Sequence, residues 1–506
     1  CSLASESAST RRKAGELHGW AQKKRTYSPA TGALPTIDKV QRAINQYSLK
    51  VLTMSTPSNK KVLSGWGQYP SVKSRVARPE TRMSLRSLVE ERSVLLARGA
   101  GRSYGDAAFI KNGKTVLTNR LNRMLYFNCE SGVLRAEAGV RLREILEAFV
   151  PRGWFLPVTP GTKEITLGGA LAFDVHGKNH HRDGSISNFI RQIELLTADG
   201  KALICGPGKN EKLFWATVSG AGLTGIITEV ELELQPIETA YVKKRTVKAS
   251  TLEETFTLFE ENESVYPYSV AWVDCLASGS AFGQSHLMFG HHATTDQLDE
   301  GKWKNPLDYE PAHWAHLPFN FPTGMLNKFM VRTFNRFYYA SQRAKSKTEV
   351  VSIDSFFYPL DAIGDWNRVY GKRGFTQFQC VLPLKESYRG ITEILQRVQK
   401  NGPAPFLAVL KRMGKPDGGM LTFPMDGYTL ALDIPRLDGI TKLMRDLHEA
   451  VARRNGRVYL AKDAYLRPDI FREMYPAYSK WLEEKHSIDP DGQFTSELAQ
   501  RLHIGI

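Results

Sequence analysis

Three stretches of small residues, far apart along the chain, limit what it can fold into: ARGAGRSYGD (Ala97–Asp106), PGTKEITLGGALA (Pro160–Ala172) and SGAGLTGI (Ser219–Ile226). Glycine permits backbone paths on which several N–H groups converge on phosphate oxygens. The first stretch packs three glycines, two arginines, a serine and a tyrosine into ten residues, and the second adds Thr162 and Thr166 as hydroxyl donors. Each alone is satisfied by a tight turn. Together, in one presumed domain, they suit a long ligand lying across it better than a single phosphate. The third also spells GxGxxG through Gly220, Gly222 and Gly225. A Rossmann site needs a helix next, so that its N-terminus meets the pyrophosphate. Here IITEVELEL follows with the two-residue alternation of a strand, so a nicotinamide site of that kind is set aside.

The texture around these loops is mixed. SVLLARGAG reads as a strand entering a turn, GVLRAEAG as a strand, and RLREILEAFVPRG as a helix stopped by proline and glycine. QIELLTADGKALIC predicts a hairpin turning at Asp199-Gly200. The long stretch PVTPGTKEITLGGALAFDVHGKNHH reads as loop. From about Ala240 to Arg454 the amphipathic helices RGITEILQRVQKNG and GITKLMRDLHEAVARRNG sit near the strand-like runs FQCVLPL and YTLALDIP, which predicts an antiparallel sheet with helices on one face. RVYLAKDAYLRP reads as a strand leading into short helices.

At 506 residues the chain exceeds a single core, and two domains are expected. No apolar run approaches the roughly 20 residues of a membrane-spanning helix. A formal charge of +16 favours anionic partners: phosphorylated substrates, acidic lipid or nucleic acid. The five cysteines are scattered without CxxC pairs, so no disulfide framework and no metal site is expected. Residues 1–60 are polar and read as a disordered or non-native extension, with Met54 starting the functional protein and a lipid-modified Cys1 as the alternative. Asn327–Thr348 carries six basic residues, five aromatics and no acid, a composition that fits an anionic membrane surface, RNA or a solvated loop.

Taken in order, Trp66-Gly67, ARGAGRSYGD, PGTKEITLGGALAFDVHGKNHH, LFWATVSGAGLTGII, YPLDAIGDWNRVYG and AKDAYL resemble the decaprenylphosphoryl-β-D-ribose 2′-oxidases, FAD oxidases of the vanillyl-alcohol-oxidase (PCMH) fold. The likeness runs from about Gly65 to Leu502. It implies an α+β, two-domain PCMH-type fold. Residues 61–240 and the C-terminal segment 455–506 would form the FAD domain, with a separate α+β substrate domain at 241–454. The pyrophosphate would lie against Arg98, Gly99, Ala100, Gly101, Arg102, Ser103 and Tyr104, and against Pro160, Gly161, Thr162, Thr166, Gly168, Gly169 and Ala170. Gly222, Gly225 and Ile226 would join them, and Gly177, Asn179 and Tyr459 would also touch the cofactor.

By the same resemblance, Lys462 sits at the isoalloxazine and substrate, where a cation could stabilise anionic reduced flavin or a desolvated amine could take the hydroxyl proton. Tyr104, His176 and Gln379 join it as catalytic candidates; Lys178, Gln377, Lys411 and Phe357 are substrate-binding candidates. His176 would orient sugar or flavin without a covalent bond to FAD. His180 and His181 read as structural. Two positions depart from the family: Ala431 stands where mycobacterial members carry cysteine, and Phe357, followed by Tyr358, where the family has tyrosine.

The resemblance implies oxidation of a polyprenyl-phosphoryl ribose at its 2-hydroxyl, the first half of an epimerisation to arabinose for cell-wall arabinan. A short-chain nicotinamide-dependent keto-reductase would act next, and a quinone-like acceptor would reoxidise the flavin. It implies a bacterial enzyme peripheral to the cytoplasmic membrane, on either side of it, so that the basic aromatic segment faces lipid and no nucleic acid is bound. The alternatives are an oxygen-using aldonolactone or alditol oxidase of the same fold, and a non-catalytic lipid- or nucleic-acid-binding protein.

Overall fold

Three main sheets form the computed structural model, which describes residues 59–311, 315–322 and 324–505. The expectations for the N-terminal extension, Cys1 and Met54 lie outside the described residues. The first sheet has four strands in the order Asn59–Ser64, Ser71–Ala77, Lys114–Leu117, Leu95–Arg98, the last three parallel. The second is antiparallel, ordered Met124–Asn128, Val133–Glu137, Ile226–Glu233, Ile190–Leu196, Ala202–Cys205. The hairpin at Asp199-Gly200 forms as read, with Leu196 opposite Ala202. Ile226–Glu233 is a strand, so the helix that a Rossmann pyrophosphate site requires does not follow the third glycine loop.

The third sheet has eight strands and spans Tyr241 to Val458. Its strands Ala408–Met413, Gly427–Pro435 and Phe375–Pro383 lie side by side and antiparallel. Alternation gives them two unlike faces. Phe378, Cys380, Leu382, Leu410, Leu430, Leu432 and Ile434 join the core under helices Leu384–Asn401 and Ile440–Ala452. Gln377, Gln379, Lys411, Ala431 and Asp433 alternate with them and stand on the opposite face. The expected antiparallel sheet with helices on one face is present.

Local readings needed correction at three places. The stretch read as loop after Pro157 contains two short helices, Leu167–Ala172, capped by Thr166, and His180–Asp183. In RVYLAKDAYLRP only Arg457–Val458 is strand, at the edge of the large sheet, and the residues after it form a loop. Asn327–Thr348 is helix Lys328–Ser341 followed by the start of strand Ser346–Ser352. Val331 and Asn335, four apart, anchor that helix; Asn335 donates to Asp274 at 2.7 Å.

The loop after Val458 returns to the first glycine stretch. Tyr104 N–H donates to the Ala461 carbonyl at 2.8 Å, and a Cβ on Gly105 would stand 1.9 Å from the Asp463 oxygen. Only glycine allows that approach. Arg501, near the end of the chain, pairs with both Asp106 and Asp463.

Candidate functional site

Residues 97–104, 160–169, 221–225 and 459–462, together with the open face of the large sheet, surround a cavity of about 310 Å³. Arg98, Gly99, Ala100, Gly101, Arg102, Ser103 and Tyr104 line it from one side, and Pro160, Gly161, Thr162, Thr166, Gly168 and Gly169 from another. Gly222 and Gly225 close a third. The three remote glycine loops therefore meet around one space. A Cβ on Gly161 or on Gly222 (φ +74°) would find no neighbour within 4 Å, so both backbones face open volume. Ser103 Oγ is buried without a hydrogen-bond partner among the described residues, a donor left over for a ligand. A bare backbone cradle with a spare hydroxyl fits a dinucleotide phosphate. Arg98 contributes differently: its guanidinium donates to the Ala108 and Ser64 carbonyls at 3.1 and 2.9 Å and braces the loop.

At the other end the walls are polar and buried. Lys462 Nζ lies 3.6 Å from the Tyr104 ring centroid. Burial lowers its pKa to about 7 against the opposing pull of Asp433. Burial alone lowers Lys411 to about 8. His176 is held far below its ordinary value, first by burial and then by the Lys411 charge, so it is neutral. Gln379 donates its amide N–H to His176 Nε2 at 3.0 Å, which puts the ring proton on Nδ1, a buried atom with no described partner. Tyr459 donates to the Phe173 carbonyl at 2.8 Å and packs its ring against His176. Ala431, opposite Gln379 across the strands, also lines the cavity.

Six sequence candidates fall outside the lining. Phe357 is a core residue packed among Phe155, Tyr268 and Phe356, and its neighbour Tyr358 bonds Thr159 at 2.7 Å. Lys178 sits behind the site with its amine on the Phe356 carbonyl, and burial lowers its pKa to about 7. Ala170 and Ile226 are buried core. Asn179 donates to the Pro157 carbonyl at 2.9 Å and to Asp183 at 2.7 Å, and Gly177 packs beside it. All six lie within three positions of a lining residue in sequence, but they serve packing and local hydrogen bonds.

Two acids were missed. Asp433 lies behind Gln377, accepts its amide N–H, and leaves Oδ2 buried without a described partner; burial raises its pKa. Its signal was a carboxylate inside the apolar strand YTLALDIP. Asp361 lines the cavity and accepts from Thr162 Oγ1 at 2.8 Å and Lys163 N–H at 2.7 Å, fixing the second glycine loop.

Comparison with known proteins agrees with this geometry. A family model described as an FAD binding domain matches residues 74–206. Decaprenylphosphoryl-β-D-ribose oxidase of Mycolicibacterium smegmatis is 36% identical over 459 residues, 89% of this chain and 99% of the relative. An uncharacterised Streptomyces coelicolor protein is 32% identical, over 72% of this chain and all of its own length. L-gulonolactone oxidase of Mus musculus is 22% identical over 80% of this chain and 88% of its own. The chain is an FAD-dependent oxidoreductase, and the cradle described above is of the kind its cofactor needs.

Proposed function

The chain belongs to the family of decaprenylphosphoryl-β-D-ribose oxidases, and from that premise we propose that it oxidises the ribose 2-hydroxyl of a polyprenyl-phosphoryl-β-D-ribose to the 2-keto sugar. The observation that carries this is the set of polar groups, buried His176, Gln377 and Gln379 with half-buried Lys462 and Lys411, at one end of the glycine-lined cavity. The backbone of Arg98–Tyr104, with Pro160–Gly169, Gly222 and Gly225, holds the FAD, and Tyr459 and His176 border it. When bound, FAD supplies the acceptor for the hydride leaving the carbinol carbon.

The protein's own part is positioning and proton transfer. Lys462 takes the hydroxyl proton at Nζ. Its lowered pKa supplies neutral amine near pH 7. Gln377, Gln379 and Lys411 hydrogen-bond the sugar oxygens, and the free Nδ1–H of His176 orients the ring. Tyr104 is half-buried and held protonated, and its ring floors the Lys462 amine. Residues 61–240 and 455–506 form the cofactor half and 241–454 the substrate half.

A short-chain nicotinamide-dependent reductase then consumes the keto sugar, giving arabinose, and a quinone-like acceptor takes the electrons. The protein works at a membrane surface. Among the described residues no helix is long and apolar enough to cross one, whereas helix Lys328–Ser341 presents Phe329 and Phe337 at 76% and 73% exposure beside Arg332 and Arg336.

The test is anaerobic. Polyprenyl-phosphoryl ribose bleaches the flavin absorbance of the purified protein, and simple sugars or lactones do not. Bleaching by a free lactone with peroxide release in air, and none by the phosphoryl ribose, overturns the reading.

A further inference from the structure

Beside the cofactor cavity lies a second space of about 570 Å³, and Trp66, Arg102, Asp361 and Trp366 line both. Its walls combine charge with apolar surface. Trp66 and Trp366 meet edge to face at 5.9 Å, and Ile363 and Ala315 extend the wall. The charged groups are three arginines, His316 and three carboxylates.

Nearly all of these charges are engaged. Glu164 takes Arg141 at 2.9 Å and Arg143 at 3.2 Å. Asp365 takes Arg368 at 2.9 Å and faces His316 at 3.6 Å. Asp361 accepts the two bonds from Thr162 and Lys163. Arg102 is the exception. Its guanidinium lies over Trp66, 4.0 Å from the ring centroid, and makes no hydrogen bond or ion pair among the described residues. A largely buried fork of five N–H donors without an acceptor marks an anion site. Burial weighs on its charged form, a cost that a bound anion would offset.

The place of this mouth is informative. Trp366 packs on Phe375 at 5.5 Å, Phe375 on Tyr104 at 5.4 Å, and Tyr104 carries the Lys462 amine. The mouth therefore opens at the Lys462 end of the cavity. We propose that it is the phosphate subsite for a lipid-linked sugar: Arg102 grips the phosphodiester, Trp66 and Trp366 flank the first isoprene units, and the sugar reaches inward to Lys462. This assignment rests on the substrate class proposed above. It removes the Arg102 side chain, though not its backbone, from the cofactor's pyrophosphate.

Calorimetry on the flavin-loaded protein tests it without turnover, using farnesyl phosphate, farnesol and inorganic phosphate as probes. Farnesyl phosphate binds and farnesol does not. Inorganic phosphate binds at least tenfold more weakly than farnesyl phosphate. Arg102→Gln weakens farnesyl phosphate by about ten- to a hundredfold, the worth of a charged hydrogen bond. Arg102→Lys, which keeps the charge and loses the fork, falls between. Both variants keep a full complement of flavin by absorbance, which also shows that they fold. Equal affinity in Arg102→Gln and wild type overturns the subsite, as does loss of flavin from that variant. Inorganic phosphate binding as tightly as farnesyl phosphate overturns the lipid-linked assignment. Binding as expected, in a protein whose flavin phosphoryl ribose fails to bleach, would instead sink the oxidation reading and leave the phosphate site standing.

Discussion

Lys462 is half-buried against an aromatic ring, and desolvation presses on its charge harder than Asp433 relieves it. The base form is the unprotonated amine, so flavin reduction should rise with pH along a limb well below the ordinary lysine range. Lys462→Met should keep its flavin, lose that limb, and reduce about 10²- to 10⁴-fold more slowly in stopped flow. An unchanged pH profile in that variant removes Lys462 from proton transfer. A second prediction concerns its neighbour Ala431. A thiol-directed reagent finds no nucleophile on strand Gly427–Pro435, and the adjacent Cys380 is turned to the helices with its thiol pushed up to about 12 by burial. Peptide mass spectrometry should show no adduct on either strand. At this scale the sequence was legible where resemblance named residues that also lie on the open sheet face, such as Gln379 and Lys411. It was not where a residue sits two or three positions along the chain from the cavity lining. Phe357 and Lys178 share segments with the site but turn into packing, and nothing in their spacing says so.

Strands were easier to read than helices, because an alternating pattern declares both the element and its two faces. Phe375–Pro383 is buried at nearly every position, yet its alternation of Phe378 and Cys380 with Gln377 and Gln379 separates core from site. Helix Lys328–Ser341 was hidden because its aromatics spread around the axis and only Val331 and Asn335 are buried. Its outward face predicts function more than stability. Phe329→Ser with Phe337→Ser should shift the melting midpoint little, since each exposed substitution costs within about 0.5 kcal/mol. The pair should nonetheless reduce co-sedimentation with anionic vesicles several-fold, and neutral vesicles should bind wild type and variant alike weakly. Undiminished sedimentation would take the helix out of membrane contact.

Across the whole molecule, the cofactor cradle depends on contacts that no local pattern encodes. Asp106 ends the first glycine stretch, Asp463 follows Lys462, and Arg501 lies near the C-terminus, 395 residues from Asp106. Arg501 meets Asp106 at 2.7 Å and Asp463 at 3.0 Å, with both carboxylates buried. The motifs were visible in the sequence; the residue that fastens them to each other was not. Arg501→Met leaves two carboxylates in the interior without their cation, at a cost of about 3–5 kcal/mol. Burial by itself would raise the Asp463 carboxyl, but Arg501 and His448 outweigh it and hold it below its usual value. Its contribution to stability is therefore complete above about pH 4, the unfolded value, and fades as pH falls through the depressed folded one. Urea unfolding should show Arg501→Met far below wild type at pH 7, with the gap narrowing towards about pH 3, and weaker flavin retention throughout. A gap that is constant across this range would mean that the loss comes from packing alone, and that the C-terminal arginine does not tie the two motifs through charge.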